Sequence, residues 1–305
     1  MRNDVAALVF GVAILLRGVS LAQTPEVAPS GALPIHETAR QDHAMELAAA
    51  GKLDAAAAEL AWLWSNLPRA DRSKAAYRHA TLAIGMRRLA ASNPPARATF
   101  VKLRDELTAR LDGGKGVPDD RKDWLVLAWV VGDAAPAMQW FDKARSDPAQ
   151  ASLIAYCAFP IEQLLLHEGR WADLTLLHPQ PLQDLEQECR TLQWVQKYHG
   201  ADKHPPGMDH LEEREIAGTL ARLYVMLLAA GRTGEAEEFV KVARERMPGP
   251  IVPESFASLA WRAGQSLKVH LDWVTDPEQK KAIQAALDAK RLSAGAGTGR
   301  RTESR

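Results

Sequence analysis

Apolar side chains return every three or four residues along much of this chain, the spacing that gathers them on one face of an α-helix. Phe100, Leu103, Leu107 and Leu111 are the clearest run and predict an amphipathic helix over Pro95–Leu111. A second amphipathic helix is predicted over Asp71–Ala91, separated from the first by Asn93, Pro94 and Pro95, and a third over Leu182–Tyr198. Gly113, Gly114, Gly116 and Pro118 make the most evident break, and Asp119 or Asp120 is placed to cap the helix that follows. Gly200–Gly207, with Pro205 and Pro206, reads as a loop.

Three segments share a finer layout. Apolar residues on one helical face precede Gly51 and Gly231, Ala follows five positions later at Ala56 and Ala236, and Pro ends each segment at Pro68 and Pro248. Gly132 repeats the pattern with Ala137, Phe141, Ala144 and Pro148. The Gly permits the left-handed residue that ends a first helix, the small Ala lets a second helix come close, and the Pro marks where that helix stops. This layout resembles the second half of the tetratricopeptide repeat. The resemblance covers about a third of the chain. It implies an all-α, right-handed α-solenoid-like array of antiparallel helical hairpins, with a groove that holds a peptide or partner helix. The three glycines lie 81 and 99 residues apart, so the units are degenerate or interspersed and do not follow a continuous 34-residue period. A fourth candidate at Gly169 lacks the Ala and meets Pro179 and Pro181 before a full second helix can form.

Composition strengthens the helical reading. The 305 residues include 52 Ala and 37 Leu but only 8 Ile, whereas strands select β-branched residues. Nine Trp in so Ala-rich a chain suggest large side chains filling gaps between closely spaced helices. With 38 basic and 38 acidic residues the formal charge is zero, so no nucleic-acid partner is expected and nothing draws the chain to an anionic membrane.

The amino terminus reads as an export signal: Arg2, then twelve apolar residues from Val5 to Leu16, then small residues at Ser20 and Ala22 that place cleavage before Gln23. Twelve helical residues reach only about 18 Å, short of a bilayer core of about 30 Å. No later apolar run is long enough to cross a bilayer, so no membrane span is expected after cleavage. The chain therefore divides into a signal peptide (1–22), a flexible linker (23–34), N-terminal hairpins (35–112), a Gly-rich break (113–118), a C-terminal helical-repeat region (119–292) and a disordered tail (293–305). The expected location is the periplasm or the exterior of the cell.

The residues that could carry chemistry have plainer readings. Cys157 and Cys189 would sit in an oxidising compartment; a disulfide between them would close about 32 residues and stabilise by roughly 3 to 4 kcal/mol, and two buried thiols are the equal alternative. His199, His204 and His210, with Asp209, Glu212 and Glu213, form the densest group of metal-ligating types, but spacings of five and six across a Pro-Pro loop do not share a helical face. His36-Glu37-Thr38-Ala39-Arg40 ends in Arg40 where a zinc-protease helix needs a second His. Gly113-Gly114-Lys115-Gly116 lacks the flanking residues of a phosphate loop, and Gly295, Gly297 and Gly299 follow no strand, so both read as flexible loops. Glu235, Glu237 and Glu238 read as a solvated helix face, and Arg300, Arg301 and Arg305 as a solvated end. No catalytic, cofactor or metal residue is assigned.

The expected function is that of an exported, non-enzymatic interaction or scaffold protein with an unidentified protein or peptide partner. The alternatives are a helical enzyme or binding module acting on cell-wall or polysaccharide material, and a structural component of an envelope assembly. The export reading predicts that amino-terminal sequencing of the protein recovered outside the cytoplasm begins at Gln23; a mature chain still starting at Met1 would refute it.

Overall fold

The computed structural model describes residues 35–69, 71–199, 211–248 and 251–264, with 277–278, 280–281 and 284–285. The expected signal peptide, linker and tail lie outside the described residues. Among the described residues the protein is all-α, with thirteen α-helices, one π turn, two 3-10 turns and no strand. It forms two compact units, Met1–Glu168 and Gly169–Arg305.

In the first unit, α1 (Ile35–Ala49) and α2 (Leu53–Asn66) form a hairpin. A single helical run follows, α3 (Arg72–Tyr77), a π turn (Arg78–Leu82) and α4 (Ala83–Ser92), and then α5 (Pro94–Asp112) and α6 (Pro118–Val131). The sequence predicted Asp71–Ala91 as one regular helix; the structure interrupts it with the π turn, and Asp71 is instead its cap, accepting from the N–H groups of Ser73 and Lys74. Asn93 caps α5 by accepting from Ala96 N–H at 3.1 Å. The unit is completed by α7 (Ala135–Ala144), a 3-10 turn (Pro148–Gln150), α8 (Ala151–Tyr156) and α9 (Ala158–His167).

α6 is the centre of this unit. α4, α5, α8 and α9 all pack against it. Of its 14 residues, Asp120 and Asp123 are buried along with the apolar run from Trp124 to Ala128 and with Val130 and Val131. A helix that is apolar on most sides belongs in a core.

In the second unit, a 3-10 turn (Trp171–Leu176), α10 (Pro181–His199), α12 (Thr233–Arg246) and α13 (Ile251–Arg262) surround α11 (Leu211–Ala229). Its core is aromatic: the rings of Tyr224 and Phe256 stack at 5.0 Å, and that of Phe239 lies 6.2 Å from Phe256.

The three glycines of the shared layout end helices in the same way. Gly132 has φ +68°, and beyond it the Asp133 N–H donates to Ala128 O at 3.0 Å; Lys52 to Leu47 O and Arg232 to Leu227 O close the other two, each at 2.9 Å. Five residues after each glycine, Ala56, Ala137 and Ala236 are buried. α2 packs directly on α1, and α12 on α11, while α9 packs against both α6 and α7.

The Gly113–Pro118 segment differs from the flexible break that was expected. It lies inside the first unit and joins α5 to α6, which pack on each other. Gly114 adopts φ +69° and Lys115 N–H donates to Arg110 O at 3.1 Å, while a Cβ on Gly116 would meet Leu111 Cδ2 at 2.5 Å. The glycines serve a tight turn. Of the two acids expected to cap α6, Asp120 does so from inside the helix: α6 starts at Pro118, whose fixed φ suits the first helical position, and Asp120 reaches back to accept from Val117 N–H at 3.2 Å.

No single helix among the described residues is long and apolar enough to cross a membrane. The segments Pro148–Tyr156 and Ala158–His167 are apolar in aggregate, but they bend by 87° and Ile161, Leu164 and Leu165 are fully buried in the core.

Two substitutions separate the contributions of the Gly and the Ala. Gly132→Ala meets open space and only the strain of positive φ, so urea denaturation should show a loss of about 1 kcal/mol. Ala137→Leu crowds a closed site and should cost about 1 to 3 kcal/mol.

Candidate functional site

The π turn carries Arg78 and His79 into the first unit side by side, and both meet α6. Arg78 is 2% exposed and Asp123 only 1%. Arg78 Nη2 donates to Asp123 Oδ2 at 2.8 Å, and His79 Nε2 lies 2.8 Å from Asp123 Oδ1. Arg69, after α2, reaches both acids of α6, with Nη2 2.9 Å from Asp123 Oδ2 and Nη1 donating to Asp120 Oδ1 at 2.6 Å. Arg110, near the end of α5, donates to the same Asp120 oxygen at 2.7 Å. The Arg78 guanidinium lies 4.2 Å from the centre of the Trp64 ring, whose centroid is 6.2 Å from that of His79.

Seven side chains from five stretches of chain thus meet at the first two turns of α6. Three guanidiniums face two carboxylates, so with His79 neutral the cluster already carries one excess positive charge. Burial, the largest influence on Arg78, lowers its pKa to about 10, with Asp123 opposing the change; it therefore stays protonated at neutral pH. Burial also lowers the pKa of His79 below the ordinary imidazole value, again against the pull of Asp123. For Asp120 burial alone would raise the pKa, but the hydrogen bonds from Arg69 and Val117 N–H and the charges of Arg110 and Arg69 together leave it lowered.

Two further groups flank the cluster. The Tyr156 hydroxyl donates to Asp119, and Lys122 Nζ lies 4.7 Å from the centre of the Tyr156 ring. At the opposite end of α6, Arg87 donates to Trp129 O and Arg97 Nε to Val131 O at 2.7 Å, so guanidiniums from α4 and α5 meet the last carbonyls of the helix.

A carboxylate-held imidazole can serve as a general base. Here Asp123 is shared with two guanidiniums, and His79 is enclosed beside Trp64. The arrangement ties α6 to the segments around it, with both carboxylates engaged by guanidiniums.

The residues singled out from the sequence fall elsewhere. Cys157 and Cys189 are both free thiols and both buried, Cys157 at the junction of α8 and α9 and Cys189 on α10. Burial pushes the Cys157 thiol up to about 12, with Lys122 and Arg121 opposing, so it is an inert thiol at neutral pH. Of the expected histidine group, His204, His210 and Asp209 lie outside the described residues, as does the side chain of His199. Among the described residues no group of three or more His, Cys, Asp or Glu could hold a metal ion. Glu235 pairs with Arg232, and Glu238 lies 3.6 Å from Lys241 on an exposed face.

Sequence reasoning missed the ionic cluster, although a signal was present. Asp120 and Asp123 stand at helical spacing with Leu127 and Val130, and Arg78 with Leu82 and Leu89, so charged residues occupied core positions on two helices. With this geometry in place, no protein-family profile, curated protein or solved structure matches the chain.

Removing one member of so buried a cluster strands the rest. Asp123→Asn should lower unfolding free energy at pH 7 by about 3 to 5 kcal/mol, whereas Arg110→Ala, at an exposed guanidinium, should cost less than about 1 kcal/mol. Urea denaturation of both variants checks the contrast; equal losses would show that burial does not set the cost.

Proposed function

We propose that this protein is an exported, non-enzymatic interaction protein of degenerate tetratricopeptide kind, which holds a protein or peptide partner on exposed faces of its helical hairpins. One observation supports this most: the cluster of charged groups on α6 is buried and engaged with its own counter-charges, while large apolar side chains stand in solvent. Trp62 is 39% exposed, Tyr156 45% and Trp194 49%.

Trp62 is the best anchor among them. It lies on the α1–α2 hairpin, the Arg40 guanidinium sits 3.7 Å from its ring centre, and Arg40 is paired with Glu59. An exposed indole already held in one place loses little side-chain freedom on binding, and Trp and Arg are the side chains that most often dominate protein interfaces. The helix-ending glycines with a buried Ala five residues on support the tetratricopeptide-like reading, and the apolar leader supports export. The balanced charge gives no reason to propose a nucleic-acid partner.

The test is affinity purification of tagged wild type and Trp62→Ala from the fraction outside the cytoplasm, after cross-linking. Retention of a defined partner by the wild type, reduced about tenfold or more in the variant at unchanged helical content, would support the reading. No reproducible partner, or equal retention by the two proteins, would overturn it.

A further inference from the structure

We propose that the π turn Arg78–Leu82 is an acid-released latch, which holds α3 and α4 to α6 while His79 is neutral and lets that contact open locally when His79 takes up a proton. The inference rests on the geometry of the first unit and is independent of the partner reading.

A π turn carries an extra residue and poorer hydrogen-bond geometry than an α-helical turn, so contacts made by its side chains must hold it in place. All five of its residues are buried, and its polar contacts converge on Asp123.

The charged groups around His79 explain why a proton there is disruptive. Arg78 is its chain neighbour on the turn itself. α6 contributes Asp119, Asp120, Lys122 and Asp123; Arg69 comes from the stretch after α2 and Arg110 from α5. α2 presents the uncharged Trp64 ring, α3 ends in the buried Tyr77, and the charged Arg87 of α4 reaches the far end of α6. Lys122 offsets Asp119, which leaves Arg69, Arg78 and Arg110 against Asp120 and Asp123. A charged His79 would raise the excess from one positive charge to two, and the buried Asp123 would then face three cations, of which Arg78 and His79 are themselves buried.

The sign of the effect follows from the direction of the His79 shift. The closed form takes the proton only below the ordinary imidazole range, whereas an opened segment takes it near about 6.5. Between those two values acid favours the open form, by up to about tenfold per pH unit. Asp120, held below its ordinary value, stays ionised across this window, so its titration belongs to stronger acid.

Amide hydrogen exchange of the full chain from pH 7.5 to 5, corrected for intrinsic exchange, tests the latch on residues 72–92 and 118–131, with 211–229 as the internal reference. The expected result is an opening that grows by up to about tenfold per pH unit below about pH 6.5 in the first two segments and not in the reference. His79→Gln should flatten that dependence. A pH-independent wild type, or a variant that keeps the full dependence, overturns the proposal. Should the variant fail to fold, the His79 ring resonances of the wild type decide: a titration midpoint that coincides with the onset of opening supports the latch, and one that does not overturns it.

Discussion

The first unit depends on what is done with the two ends of one buried helix. α6 is enclosed by α4, α5, α8 and α9, and the backbone groups at the ends of a helix have no partners within it. At the amino end Asp120 accepts from Val117 N–H, and acidic residues suit the positive pole of the helix dipole. At the carboxyl end Arg87 and Arg97 donate to Trp129 O and Val131 O. Because these partners come from α4 and α5, satisfying α6 also fixes its neighbours around it.

That solution brings charge into the core, and charge there is not obviously stabilising. Removing an ion pair from water costs several kcal/mol per ion, and well-packed apolar residues often do as well or better. What the cluster supplies is register. Arg78 and His79 reach opposite oxygens of one carboxylate, while Arg69 bridges the two acids of α6. Adjacent residues of a helix stand about 100° apart around its axis, yet from the π turn both Arg78 and His79 reach Asp123 of α6. The irregular turn and the ionic cluster are thus two sides of one constraint.

The hairpins were legible in the sequence because their signals are local. A Gly that ends a helix and an Ala that permits close approach act over five residues, as at Gly132 and Ala137. The Gly113–Pro118 turn was harder, since composition shows chain freedom but not the close approach of Gly116 to Leu111 that uses it. The cluster was least legible. Arg78 and Asp123 are 45 residues apart, and nothing local says that a charge on the apolar stripe of one helix will meet an opposite charge on another. A π turn is equally silent, because the residues Arg78–Leu82 carry no composition that separates it from ordinary helix.

The two units solve the same packing problem with different chemistry. α11 is as deeply enclosed as α6, with Ile216, Leu220, Tyr224 and Leu227 buried along it, but its most extensive partner is the largely apolar α13, through the stacked Tyr224 and Phe256 rings. Apolar contacts do not titrate near neutral pH, whereas a cluster containing a buried imidazole does. An acid-driven opening through His79 therefore belongs to the unit that carries the ionic cluster. The α1–α2 hairpin that presents Trp62 belongs to that unit, and α2 packs on α4 directly and supplies Trp64 to the cluster. If a partner binds at Trp62, a loosened π turn would be felt there through α2, so binding on that face and protonation of His79 would be linked energetically and not merely neighbouring events.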